Sequence, residues 1–253
     1  MKKVLYHGSD KIVDKPMFGV GKEDNDYGSG FYTTEDLEKA REWAWINGSS
    51  NSICNQYELE TDGLNILNLD EYGTLAWVAE VISHRGARTE IANEIGNRIV
   101  EKYKVDTSKA DVIIGYRADD SYISVVEAFL NNQLTIDEVD RQFRKGDLGK
   151  QVFIKSQKAF DALSFVGYEK VEAQKNNDYG NADAKARREV SQYLNNRERA
   201  IQIEGFVPAG ITAREVINHK YSYNNEYGCY LPSDENRKKQ PKRQSVSNGK
   251  DEI

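Results

Sequence analysis

The chain is poor in the residues that build covalent or metal frameworks. Of 253 residues only two are cysteine, Cys54 and Cys229, and three are histidine. Neither cysteine stands at metal-like spacing from a histidine, and His84 and His219 have no partners at such spacing and read as surface residues. No metal is therefore expected, and reduced thiols in a soluble cytoplasmic protein are the simplest expectation. No apolar run approaches the ~20 residues of a membrane-spanning helix, so no membrane partner is expected. The start, Met1-Lys2-Lys3-Val4-Leu5, is basic and briefly apolar, but it meets Tyr6-His7-Gly8 too soon to read as a secretory signal. Positive charge is also lacking. A net charge of -6 gives no general attraction to nucleic acid, although Arg237, Lys238, Lys239, Lys242 and Arg243 form a local basic cluster.

Apolar residues make up 38% of the chain and charged residues 30%, enough for one sizeable core under a wet surface. Lys3 to Tyr6 reads as a short strand. Thr34-Glu35-Asp36-Leu37 reads as a helix start with Thr34 as the cap, and Leu37, Ala40 and Ala44 recur at helical spacing. Gln56 to Glu60 alternates as a strand, and Asp62-Gly63 is a turn before a second strand over Leu64 to Leu69. Helices are expected around 75–82, 91–99 and 125–130, with a buried strand over Asp111 to Gly115. Thr135-Ile136-Asp137-Glu138 is a capping box. A strand over Gln151 to Lys155, a helix over Gln157 to Leu163 and a strand over Phe165 to Val171 follow. Strands thus surround a helical middle, an α+β arrangement. Asn176 to Asn181 reads as a polar linker, Ala182 to Ile203 as a charged amphipathic helix, and the aliphatic-poor end from Ser233 as a disordered basic tail.

Two segments carry chemistry. Tyr6-His7-Gly8-Ser9 ends the first strand and aims one imidazole and one unobstructed backbone amide at a ligand. Tyr27-Gly28-Ser29-Gly30-Phe31-Tyr32-Thr33-Thr34 is a glycine-flexed loop entering a second strand. It lacks the third glycine and long preceding strand of a dinucleotide fingerprint, which excludes a Rossmann loop. Trp43 stands eleven residues after Tyr32, on the next helix.

These segments resemble the ADP-ribosyltransferase superfamily, in the branch with a His-Tyr-Glu triad that includes diphtheria-toxin-like and poly-ADP-ribose-polymerase-like enzymes. His7-Gly8, Gly28-Ser29-Gly30-Phe31-Tyr32 and Trp43 stand at that branch's positions. Within it the chain is most similar to an uncharacterised bacterial and phage branch, also on Gly115-Tyr116-Arg117-Ala118-Asp119-Asp120-Ser121-Tyr122 and Leu148 to Ser156. The likeness covers residues 1 to about 170.

The resemblance implies an α+β fold with a split β-sheet core and inserted helices over 1–172, a helical extension packed on it over 173–232, and the tail over 233–253. It implies a transferase that takes NAD as its substrate, with no metal, and passes one ADP-ribose to a protein or nucleic-acid acceptor, as bacterial toxins and phage modifiers do. A cognate inhibitor protein is a partner of such enzymes. By this likeness His7, Gly8, Ser9, Gly30, Tyr32 and Trp43 bind NAD, with Tyr32 and Trp43 sandwiching the nicotinamide. His7, Tyr32 and Gln151 are the catalytic set. Arg117, Asp119 and Asp120 follow a buried strand, and the two aspartates have two readings: an N-cap for the helix beginning near Ser121, or, with Arg117, the acceptor side of the pocket with one of them as a base. The chain departs from the pattern at the family's glutamate, where Gln151 stands. An amide bonds a ribose hydroxyl but is no base. This argues against polymer formation, and it supports an alternative, a catalytically silent domain that binds NAD, a nucleotide or a protein. Asp147 is a second candidate acid, or a turn residue. A third reading, an RNA-end-processing phosphotransferase of the same fold, calls for several pocket arginines, of which Arg117 is one.

Overall fold

The computed structural model describes residues 1–46, 51–118, 120–145, 149–172 and 178–233. The chain runs β1 (Lys2–Ser9), β2 (Phe31–Thr33), α1 (Leu37–Ile46), β3 (Ile53–Glu60), β4 (Ile66–Asn68), α2 (Thr74–Arg85), α3 (Glu90–Tyr103), β5 (Val112–Tyr116), α4 (Asp120–Leu130), α5 (Ile136–Lys145), β6 (Lys150–Ile154), α6 (Gln157–Asp161), β7 (Leu163–Lys170), α7 (Asp178–Glu204), α8 (Ala213–Asn218), β8 (Tyr221–Asn224) and β9 (Cys229–Pro232). It is a mixed α+β fold with two main open sheets, ordered β1-β3-β7 and β2-β6-β5-β4.

The sheets face each other across a small apolar layer. Leu5, Tyr57 and Leu59 come from the first sheet, Val112, Val152 and Ile154 from the second, and Ala159 and Phe160 from α6. Alternation along each strand puts these residues on one face and leaves the opposite face for other partners. On the outer face of the second sheet, Ile113 and Phe153 join a larger core with residues of α2, α3, α4 and α5. Val112 to Ile114 is apolar on both sides for this reason, and the continuous run in the sequence reports it.

Between β1 and β2 the described residues make a single bridge. Tyr6 N–H donates to Thr34 O at 2.8 Å, and Thr34 N–H donates to Tyr6 O at 2.9 Å. Thr34 is thus a bridge residue rather than the expected helix cap. Asp36 caps α1 instead, its Oδ1 accepting from the N–H groups of Glu38 and Lys39 at 2.9 and 3.1 Å. The Thr135–Glu138 capping box forms as expected, with Thr135 N–H donating to Glu138 Oε2 at 2.9 Å and Glu138 N–H donating to Thr135 Oγ1 at 3.4 Å.

The C-terminal part departs from the sequence reading in two places. The α7 helix already starts at Asp178, so four of the six residues of the expected linker are helical, and Tyr179 OH donates to Glu38 on α1 at 2.9 Å. The region also carries the β8–β9 hairpin, where only helix was expected. Val190, Ala213, Val216 and Tyr230 enter the larger core. Tyr230 OH accepts from Leu75 N–H at 2.6 Å, in the first turn of α2, where an unpaired amide would otherwise lie buried. Residues 234–253, with their basic cluster, lie outside the described residues.

Candidate functional site

The loop before β2 is pinned to the end of β5 by a buried aromatic. Tyr27 is 2% exposed, and its hydroxyl donates to Tyr116 O at 2.6 Å. The same hydroxyl accepts from Trp77 Nε1–H at 2.9 Å, and that N–H also reaches Tyr116 O at 2.9 Å. Gly115 makes the room: a Cβ there would lie 2.3 Å from the Tyr27 hydroxyl. Tyr32 closes the loop, its hydroxyl donating to Gly28 O at 2.7 Å and accepting from Tyr27 N–H at 3.1 Å. Burial holds both phenols above the ordinary tyrosine range, so they stay protonated and act as hydrogen-bond donors rather than bases.

This anchoring delivers Asp26, which is 7% exposed, to an open cavity of about 200 Å³. Asn25, Asp26, Tyr32, Arg85, Arg117 and Gln151 line it, with Ala118. The carboxylate is held from three directions. Arg85 Nη1 donates to Oδ1 at 2.9 Å, and Ala118 N–H and Gln151 Nε2 donate to Oδ2 at 2.9 and 2.8 Å. Arg85 also donates to Ala118 O at 3.0 Å, which locks the turn after β5 against the end of α2. Gln151 faces Gly115 across the β5–β6 ladder and is 4% exposed. Among the described residues the lining carries two guanidiniums, Arg85 and Arg117, and one carboxylate, Asp26.

His7 stands at the outer edge of β2. Its Nδ1 lies 2.7 Å from Tyr32 O, and its ring packs on Phe31 with centroids 4.5 Å apart. A carbonyl only accepts, so Nδ1 carries the proton and Nε2 is left as an acceptor. Burial pushes the imidazole below its ordinary value, which keeps it neutral at pH 7. Gly8 follows. Tyr6 turns its amide and carbonyl toward β2, and alternation sends those of Gly8 to the same edge, past the last bridge. The opposite requirement also falls on Gly8: a Cβ there would meet Ala40 O at 2.2 Å and Ala44 N at 2.5 Å, so α1 lies directly on it.

The residues singled out in the sequence are distributed unevenly. Tyr32, Arg117 and Gln151 share the cavity, and His7 reaches it only through the backbone of Tyr32. Trp43 is half-buried, and the Arg117 guanidinium covers one face of its ring at 4.9 Å from the centroid. Tyr32 instead packs against Phe153, with centroids 4.7 Å apart. Gly30 is packed on the Phe153 ring and Ile154 O, and Ser9 Oγ contacts Asp10 Oδ1 at 3.4 Å and Lys11 N at 3.4 Å within its own turn. Asp119 and Asp147 lie outside the described residues, and Asp120 is placed as the first residue of α4. Asn25, Asp26 and Arg85 were not singled out in the sequence. The one sequence signal that could have found Asp26 is its place directly before the Tyr27-Gly28 motif. Arg85 looks like any cation in a last helical turn. Among the described residues no group of three or more His, Cys, Asp or Glu could hold a metal ion. No helix there is long and apolar enough to cross a membrane. Burial raises the Cys54 thiol to about 12, so it is no nucleophile.

The stretch from β1 to the start of β7, which holds every lining residue, coincides with a family boundary. Residues 3–165 match the family described as a protein of unknown function, DUF3990. The chain belongs to the DUF3990 family. No curated protein and no solved structure matches it. The DUF3990 match ends before α7, α8 and the β8–β9 hairpin, and the described lining residues of the cavity lie within it.

Proposed function

We propose that this DUF3990 chain is an NAD-dependent mono-ADP-ribosyltransferase with the split-sheet core of that superfamily. The observation that carries the reading is the gap after the Tyr6–Thr34 bridge. Gly8 and Tyr32 turn backbone groups into it, His7 is fixed there as a neutral acceptor, and Gln151 lies on the other side of Tyr32. Gly8 would bond the nicotinamide carboxamide, and His7 Nε2 a ribose hydroxyl. The cavity is smaller than the roughly 300–1,000 Å³ of sites that enclose a drug-sized ligand. It takes one moiety of NAD, and Arg117 and Arg85 lie where the diphosphate charge is attracted. Arg117 must leave the Trp43 face for a nicotinamide ring to stack there.

In the reaction the bond between C1′ of the ribose and the nicotinamide nitrogen breaks, and its electron pair leaves with nicotinamide. An acceptor oxygen or nitrogen forms the new bond to C1′ and releases its proton to solvent. With water as acceptor the products are ADP-ribose, nicotinamide and a proton. The protein's part is to clamp the leaving group and to place negative polarity against the cationic sugar.

The test is incubation of the purified chain with adenylate-labelled NAD and a bacterial lysate, followed by mass spectrometry of the protein and nucleic-acid fractions. Single ADP-ribose adducts are expected. Polymer ladders would contradict the reading of Gln151. A second reading, a silent NAD-binding or protein-binding module, is favoured by Arg117 on the Trp43 face and by the amide at Gln151. NAD binding with no release of nicotinamide would select it.

A further inference from the structure

The cavity holds a carboxylate that neither the resemblance nor the family description assigns. Asp26 and Gln151 are joined side chain to side chain, with Gln151 Nε2 2.8 Å from Asp26 Oδ2. An ionised carboxylate can only accept, so the NH₂ end of the amide must face Asp26. Oε1 is then the free end of the amide, and no described residue donates to it. Both residues line the cavity beside Tyr32. The orientation of the amide is not left to chance: Asp26 is itself immobilised by Arg85 and by Ala118 N–H. A charged acceptor on the NH₂ group also polarises the amide and increases the negative charge on Oε1.

We propose that Asp26 is the positioning residue that lets Gln151 stand in for a carboxylate, with Asp26 orienting and polarising the amide so that Oε1 accepts a ribose hydroxyl of bound NAD. The negative charge that a glutamate would carry in one side chain is here divided between two. The inference rests on the ADP-ribosyltransferase reading. It adds that the cationic sugar is stabilised through the Asp26–Gln151 pair, and that charge at either position serves if the hydrogen bond between them survives.

The experiment measures nicotinamide release from saturating NAD, and NAD affinity by calorimetry, for the full chain and three variants. Asp26→Asn keeps size but removes the charge. It should lower kcat roughly 100-fold, the scale of one lost preorganised electrostatic contact, with Kd for NAD changed less than about threefold. Gln151→Met leaves Asp26 its bonds to Arg85 and Ala118 and should lower kcat to a similar degree. The double variant Asp26→Asn/Gln151→Glu moves the charge across the same hydrogen bond and should recover about tenfold over Asp26→Asn. A purely structural Asp26 would not be rescued in this way, since Arg85 would still face a neutral amide instead of a carboxylate at position 26. A folded Asp26→Asn or Gln151→Met protein with wild-type kcat would overturn the inference, and so would failure of the double variant to recover. Wild-type protein that binds no NAD and releases no nicotinamide overturns the parent reading as well. An active wild type with an unaffected Asp26→Asn variant overturns only the present inference.

Discussion

His7 Nδ1 lies 2.7 Å from the carbonyl oxygen of Tyr32, so the imidazole of the first strand is read by the backbone of the second. The contact fixes the tautomer, and burial lowers the imidazole's proton affinity. The unfolded chain therefore binds this proton at a higher pH than the folded chain. His7's contribution to stability is fully present above about pH 6.5, the ordinary histidine value, and is lost as pH falls below it. Urea titrations at pH 5 and pH 7 should show a smaller pH-dependent loss in His7→Gln than in wild type. An unchanged difference would mean that His7 is solvated.

Gly8 has two roles that one substitution separates from mere flexibility. In Gly8→Ala the new methyl would fall 2.2 Å from Ala40 O and 2.5 Å from Ala44 N, both backbone atoms of α1. The helix has to shift, at a cost of about 1–3 kcal/mol, and Trp43 shifts with it. Urea denaturation should register the loss. Wild-type stability in Gly8→Ala would contradict the close approach of α1.

Trp43 is to be tested by calorimetry with NAD. Removing the ring in Trp43→Ala takes away a stacking face and the Arg117 contact. It should weaken NAD binding by about 1 kcal/mol, roughly fivefold in Kd. Wild-type affinity in a folded Trp43→Ala protein would leave Arg117 as the permanent occupant of that face.

Much of this architecture is legible in the sequence because local periodicity and burial agree. The alternation of Tyr57, Glu58, Leu59 and Glu60 becomes a half-buried strand, and the apolar run through Ile113 a strand covered on both faces. Thr34 was misread because a threonine before acids satisfies a capping pattern equally well when a tertiary bridge to Tyr6 claims its backbone. The hairpin from Tyr221 to Pro232 was hidden because its strands are four residues each and their packing partner is Gly73, far away in sequence. In the candidate site, the motifs single out His7, Tyr32 and Gln151, of which Tyr32 and Gln151 line the cavity. They do not single out Asp26, because its partners Arg85, Ala118 and Gln151 lie 59, 92 and 125 residues away, and only the fold brings them together.

The Tyr27 hydroxyl offers a test of how the loop is held. Tyr27→Phe removes the donor to Tyr116 O and one acceptor of the Trp77 N–H, while Trp77 keeps Tyr116 O. A buried hydrogen-bonding group is lost at a cost of about 1–3 kcal/mol. Gly115→Ala should cost less in the Tyr27→Phe background than in wild type, because the hydroxyl it would strike is gone. Strict additivity in that double-mutant cycle would contradict the contact.

The most direct measurement is release of free nicotinamide from ring-labelled NAD by the purified full chain, followed by chromatography with and without lysate. If the gap between β1 and β2 is a site for NAD cleavage, nicotinamide accumulates in proportion to protein concentration. It falls at least tenfold in His7→Ala, a loss of about 1.4 kcal/mol or more in transition-state stabilisation. The absence of nicotinamide release under both conditions, together with no calorimetric signal on NAD titration, would contradict the assignment.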